Sequence, residues 1–242
     1  MTEHHEQLGV IKDFYFVMQP VVKISGKQKD KIAFYEILLR SKKTRQFPGE
    51  ISFDLIKSQS GNQIVLSFFE KQLKEILQEN PCTKLSINFE IIQFKSPQTH
   101  EFFERMHTWA PNIIVELTER SYATNGSNYL LDAVKKIKKM GYRIFVDDIG
   151  TGRNTLSHVQ DNVNLVDGIK FAWPHFKEDS CQISISFLKE WDNLAKKNNL
   201  AFVFEGVENV DTQILLQKMG IIYQQGWFFG KPREDMIEAQ KC

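Results

Sequence analysis

From residue 14 onward, short apolar runs alternate with longer stretches whose apolar residues recur every three or four positions. FYFVMQPVVKI (14–24) predicts a first strand, interrupted at Pro20, and AFYEILL (33–39) a second. Residues 52–79 carry Phe53, Ile56, Ile64, Phe68, Leu73, Ile76 and Leu77 at helical spacing and predict one helix. The rhythm then becomes regular. Strand 84–89 leads to a helix around 100–109, strand 113–119 to helix 128–141, and strand 143–149 to a short helix near 153–159. Strand 165–171 leads to helix 184–198, strand 200–207 to helix 210–220, and strand 221–229 to a short terminal helix.

Repeated strand-then-helix units imply a parallel sheet. Eight candidate strands in a chain of 242 residues favour a closed α/β barrel. An open doubly wound sheet is the alternative, weakened because no GxGxxG follows any strand. No linker or low-complexity segment divides the sequence, which predicts a single domain over 1–242 with a core of about 14–233.

The strands share a second pattern. Each is mostly apolar and then places a polar or ionisable residue near its C-terminal end: Glu36, Asn88, Glu116, Asp147 with Asp148, Lys170, Glu205 and Gln225. In an α/β barrel those ends meet on one rim, where barrel active sites lie. One such carboxylate is ordinarily a helix cap or an arginine partner. Several from separate strands repel one another unless a cation joins them. The ligands on offer are all oxygens, which favours Mg²⁺ or Mn²⁺ over zinc. The adjacent Asp147 and Asp148 suggest two ions bridged by a carboxylate, with Lys170 as the cation that orients or deprotonates the attacking water.

Composition narrows the partners. With 31 basic and 30 acidic residues the net charge is +1, so no global field recruits DNA, RNA or a membrane surface. No apolar run approaches the roughly 20 residues of a membrane span. The N-terminal MTEHHEQLGV lacks the apolar core of a secretory leader, and the three scattered cysteines read as reduced thiols of a cytoplasmic protein. Several look-alikes are discounted. His100-Glu101-Phe102-Phe103-Glu104 lacks the second histidine of a zinc protease helix. Phe102, Phe103 and Trp109 read as packing residues rather than a base-stacking platform.

These residues resemble the EAL-domain cyclic-di-GMP phosphodiesterases over about 14–233. The signature tripeptide stands here as Glu36-Ile37-Leu38. Asn88 in SINF, Glu116 and Glu119 in VELTE, DDIGTG at 147–152, Lys170 in VDGIKF, Glu205 and Glu208 in EGVE, and Gln225 in QGWFFGKP match further family motifs in order. The resemblance implies a modified (β/α)8 TIM-like barrel whose first strand is antiparallel. It implies hydrolysis of cyclic di-GMP to linear pGpG with Mg²⁺ or Mn²⁺, two ions in all, and leaves a homodimer open. Glu36, Asn88, Glu116, Asp147 and Asp148 are then metal ligands. Lys170, Glu205 and Glu119 serve catalysis, Glu119 by steadying the adjacent loop. Gln19, Arg40 and Gln225 contact the substrate. Ile37 and Ile149 replace an alanine and a phenylalanine of the pattern, Arg153-Asn154-Thr155 replace Tyr-Ser-Ser, and Ala172 stands where the family often has an aspartate. That last change motivates the alternative of a weak or inactive barrel acting as a cyclic-di-GMP receptor or protein-interaction module.

Overall fold

Eight strands pair in sequence order and close on themselves in a computed structural model of the chain. The structure describes residues 2–26, 30–118, 128–150, 163–172 and 181–236, with side chains from residue 7 onward except at 128, 129 and 181–184. The strands are β1 (Phe14–Lys23), β2 (Lys31–Ser41), β3 (Leu85–Glu90), β4 (Ile113–Thr118), β5 (Arg143–Val146), β6 (Gly168–Ala172), β7 (Ala201–Glu205) and β8 (Tyr223–Gln225). From β2 to β8 every neighbouring pair is parallel, whereas β1 runs antiparallel to both β2 and β8. The fold is therefore the modified barrel with a reversed first strand.

Strand periodicity sorts the core into two shells. Residues facing outward, such as Tyr35, Ile87, Val115, Ile144, Phe171 and Phe204, are buried beneath the helices. A smaller inward cluster of Val21, Phe34, Ile114, Phe145 and Val203 fills the barrel. Phe34 and Phe145 meet edge to face, with centroids 5.9 Å apart. Gly168 completes this layer by being absent as a side chain, since a Cβ there would stand 2.6 Å from the Phe145 ring. Two residues further along the strands, the inward positions are Glu36, Glu116, Asp147, Lys170 and Glu205. An apolar plug thus lies directly beneath a polar layer.

Local chemistry corrects several expectations. The single helix expected over 52–79 is two, α2 (Gly49–Lys57) and α3 (Gln59–Glu79). Ser58 between them is extended, and its hydroxyl accepts a hydrogen bond from the Gly61 N–H at 3.0 Å, capping α3. A Cβ at Gly61 would lie 2.2 Å from the Leu55 carbonyl, so only glycine allows this corner. β1 continues through Pro20, and its irregularity is a register shift between Val21 and Val22. The polar N-terminus forms α1 (Thr2–Ile11), seated by Val10 and Ile11 against the core.

The other helices are α4 (Pro97–Arg105), α5 (Asn128–Lys139), α6 (Cys181–Lys197) and α7 (Val210–Lys218). α7 is capped by Asn209, whose side chain accepts from the Thr212 N–H. The helix expected near 153–159 lies outside the described residues. After β8 the described residues form no terminal helix. They return across β1, where Met18 and Arg233 exchange backbone hydrogen bonds of 2.7 and 3.1 Å. Cys82 is disulfide-bonded rather than a free thiol, an arrangement unusual for a cytosolic chain. The other two cysteine side chains lie outside the description. Among the described residues no helix is long and apolar enough to cross a membrane.

Candidate active site

The polar layer is organised around one buried ammonium. Lys170 Nζ lies 3.1 Å from Glu36 Oε2, 2.9 Å from Glu116 Oε2, 3.3 Å from Asp147 Oδ1 and 2.9 Å from Glu205 Oε1. The register explains how one lysine reaches four carboxylates. Ala172, not Lys170, pairs with Glu205, so Lys170 starts two residues deeper and its long stem rises to the carboxylate level. Asn88 and Glu116 pair directly across β3 and β4, and Gln19 pairs with Glu36 across β1 and β2. Asn88 Nδ2 donates to Glu36 Oε1 at 3.0 Å, and Gln225 Nε2 donates to Glu36 Oε2 at 2.7 Å.

β5 ends at Val146, which puts both aspartates of the DDIG turn beyond the strand. The Asp147 N–H still bonds to the Leu117 carbonyl, and the Ile149 N–H bonds to the Lys170 carbonyl. Between them Asp148 adopts φ +49°, followed by Gly150 at +84°. That left-handed step turns consecutive carboxylates toward the same side, and aspartate tolerates it better than most residues. Ligand atoms of Asp147, Asp148 and Glu205 come within 4.8 Å of one another, a grouping able to hold a cation.

Burial and crowding set the charges. Burial raises the Glu116 carboxyl to about 8; Lys170 opposes the rise, while Glu36 and Asp147 add to it. Asp147 rises to about 6, again chiefly by burial, with repulsion from Glu36 and Asp148 working against Lys170. Glu205 is pushed well up for the same reasons. Glu36 differs: burial pushes upward, but Lys170 and the hydrogen bonds from Gln225 and Asn88 hold it below the usual range. Burial disfavours a charged Lys170, yet the surrounding carboxylates outweigh that and keep it firmly protonated. One lysine cannot neutralise all these acids, and protons make up the difference when no metal is bound.

A cleft of about 290 Å³ opens beside this layer, lined by Glu36, Arg40, Asn88, Asp147 and Asp148 and walled by Phe47 and Phe53. A second cavity of about 260 Å³ lies on the other side and contains Gln19, Glu205, Gln225 and Trp227. Glu36 borders both.

A sequence profile described as the EAL domain matches residues 6–232. The chain belongs to the EAL domain family. The probable cyclic di-GMP phosphodiesterase PdeB of Escherichia coli (strain K12) is 27% identical over 98% of this chain and 46% of its own length. The cyclic di-GMP phosphodiesterase PdeF of the same organism is 25% identical over 91% of this chain and 30% of its own. The chain thus spans less than half the length of these curated relatives. Among solved structures, the EAL enzyme Bd1971 with cAMP and cyclic di-GMP bound superposes with a TM-score of 0.77 at 23% identity, over 96% of this chain and 66% of that one. The manganese and cyclic-di-GMP complex of Klebsiella pneumoniae BlrP1 gives 0.74 at 21% identity, over 91% and 56% respectively.

In this EAL domain the structure gathers Glu36, Asn88, Glu116, Asp147, Asp148, Lys170, Glu205 and Gln225 at one end of the barrel. Gln19 sits beside Gln225, which donates to its Oε1 at 3.4 Å, and Gln19 itself donates to the Gly230 carbonyl at 3.2 Å. Arg40 is on the opposite flank, in the first cleft, its guanidinium donating to the Leu39 carbonyl at 2.8 Å. Glu119 lies outside the described residues, as do Arg153, Asn154 and Thr155. Ile37 and Ile149 are buried among apolar neighbours, as their chemistry requires. Phe102 and Phe103 are core residues, and Trp109 packs against the same core.

Sequence reasoning missed a supporting network under β3. Gln93 Oε1 accepts from the Glu90 N–H, Gln93 Nε2 donates to Asn62 Oδ1, and Asn62 Nδ2 donates to Thr99 Oγ1, at 2.9, 2.9 and 3.1 Å. It fixes the turn that follows Asn88 with every link buried. Gln93, Asn62 and Thr99 belong to separate segments, and no local pattern announces their meeting.

Proposed function

We propose that this EAL domain hydrolyses cyclic di-GMP to linear pGpG with two Mg²⁺ or Mn²⁺ ions. The observation that carries the reading is the convergence of four carboxylates on Lys170, with Asp148 alongside. The residues fit hard divalent cations. Every candidate ligand atom is an oxygen, and Asn88 Oδ1 and Glu116 Oε1 are buried with no hydrogen-bond partner. Glu36, Asn88, Glu116, Asp147 and Asp148 would hold the ions, and the proximity of Glu205 to both aspartates adds it to that set. When bound, the ions supply Lewis acidity and make water a stronger nucleophile.

The chain's own groups do the rest. Lys170 Nζ, fixed by its carboxylates, orients the water and offsets charge building on the phosphate. Glu205 receives the proton the water gives up. Water oxygen adds to phosphorus as the bond from phosphorus to one ribose oxygen breaks; that oxygen takes up a proton from solvent to become a hydroxyl, and the ring opens to a linear dinucleotide. Arg40 suits a phosphate oxygen through its planar fork, while Gln19 and Gln225 supply amides on the other flank. Glu119 is assigned to steadying the loop after β4. The substrate is an intracellular nucleotide, so we place the reaction in the cytoplasm. Ala172, level with Glu205 yet carrying no carboxylate, is the feature that favours the receptor alternative.

The deciding experiment incubates purified protein with cyclic di-GMP and Mn²⁺ and separates the products by chromatography. Linear pGpG is expected; bound but intact cyclic di-GMP would support the receptor instead. Asp148→Asn tests the second ion. Asparagine accepts the left-handed backbone of position 148, so the fold should survive. Calorimetry with Mn²⁺ should show one ion fewer, and hydrolysis should fall about 100-fold. Unaltered stoichiometry and turnover in this variant would remove the two-ion assignment.

A further inference from the structure

Among the described residues, six of the nine exposed large apolar side chains fall between Val210 and Phe228. Apolar side chains scattered singly on a surface are ordinary, but such a concentration marks a face that meets something. Its spine is α7. Only Leu216 of this helix is buried, whereas Val210, Ile214 and Leu215 are 50%, 40% and 45% exposed. Asn209 caps the helix, and the Phe228 N–H bonds to the Val207 carbonyl just before it, so the face stands on a fixed frame. Water contact along it is unfavourable.

The charged residues on this face identify its occupant. At 3.6 residues per turn, Ile214 stands near the centre of the outer face, with Val210 toward one edge and Leu215 at the other. Asp211 and Lys218 are both exposed and lie on the Leu215 side, seven positions apart. Each is three and a half positions from the point between Ile214 and Leu215. A two-fold axis through that point lays a second α7 antiparallel across the first and keeps each edge over the same edge of the copy. Asp211 then faces Lys218 of the copy, Lys218 faces Asp211 of the copy, and Ile214 and Leu215 meet their counterparts at the axis. A parallel arrangement would set aspartate against aspartate and lysine against lysine.

We propose that α7 is a self-association face, on which a second copy of this chain packs antiparallel about a two-fold axis. The face is small, so the association is weak, with a midpoint of about 10–100 µM. It needs neither metal nor cyclic di-GMP, and it stands or falls apart from the proposed function.

Sedimentation equilibrium from about 1 to about 300 µM spans that midpoint, and the unaltered protein should pass from monomer to dimer across it. Ile214→Glu sets two like charges at the axis and should remain monomeric throughout. Asp211→Lys and Lys218→Asp each create two like-charge pairs and should weaken the dimer about 10-fold. An equimolar mixture of those two variants pairs lysine with aspartate at both ends, and should recover the affinity of the unaltered protein. All three positions are exposed, so the circular dichroism spectrum should not change. A protein still monomeric at the highest concentration, a dimer indifferent to Ile214→Glu, or a mixture no tighter than its components overturns the proposal. In the first of these cases the face belongs to a different protein.

Discussion

Lys170→Ala should lower the rate of cyclic di-GMP hydrolysis by about 10²–10⁴-fold, the range of a group that orients the attacking water; held protonated, the lysine does not itself take the water's proton. The structure adds a second effect. Lys170 is fully buried and is the cation among Glu36, Glu116, Asp147 and Glu205. Removing one partner of a buried ion pair typically costs about 3–5 kcal/mol, because the charge left behind is unsatisfied. Here the carboxylates can recover part of that by taking up protons, which is easier in acid. The metal-free variant should therefore melt well below the unaltered protein at pH 8 and much closer to it near about pH 5.5. Mn²⁺ should restore its melting temperature without restoring its rate. Thermal melts at the two pH values, with and without Mn²⁺, separate the structural role of the charge from its chemical one. A variant that regains full activity with Mn²⁺ would make the lysine a counter-ion and nothing more.

Glu116→Gln should reduce hydrolysis to background while making the metal-free protein more stable at alkaline pH. Glu116 titrates at about 8 when folded, against 4.5 for the free group. Its folded value is raised, so the folded state holds a proton that the unfolded chain has lost between those two values. The associated stability is present below the lower value and is lost as pH climbs to the upper one. Asp147, raised from 3.8 to about 6, contributes in the same direction, and Glu36, held low, contributes the opposite slope. The net expectation is a metal-free protein that loses stability from about pH 5 to pH 8. Glutamine cannot ionise, still accepts from Lys170, and should flatten the slope. A divalent cation reverses the balance by favouring deprotonated ligands. Chelator-treated melts across pH check the first claim, and product analysis checks the second. An active Glu116→Gln variant would remove this residue from the metal set.

The two variants also show which parts of the site a sequence can reveal. Glu116 is legible because it ends an apolar strand in step with Asn88, and strand period alone puts both on the inner face. The depth of Lys170 is not legible: it depends on β6 being offset against β7, so that Ala172 takes the place level with Glu205. The union of Glu205 with Asp147 and Asp148 is equally hidden, since it needs the left-handed backbone at Asp148. Nothing around Asp148 forces that conformation before the barrel is closed. At the level of elements, the strand–helix rhythm gives the barrel. The break at Ser58 is missed because apolar spacing runs on through it, and only the short polar segment with Gly61 betrays the corner. β8 is expected as a nine-residue run, but three residues pair. Ile221 and Ile222 precede the paired residues, and those after Gln225, including Trp227 and Phe228, leave the sheet where Gly226 turns.

The reversed β1 has a consequence for how the protein comes into being. Closure of the barrel pairs Val21 with Gln225, and the Gln225–Gln19 contact joins residues 206 apart in sequence. Such a contact pays nearly the whole loop entropy of the chain before it is rewarded. During synthesis β1 and β2 can form their hairpin early, yet β1 keeps one edge unpaired until β8 emerges. Gln19, Glu36 and Gln225 are therefore brought together last. A nascent chain stalled before β8 would carry most of the carboxylates but an open, adhesive sheet edge and an unfinished polar rim, which would couple the onset of the proposed activity to completion of the barrel.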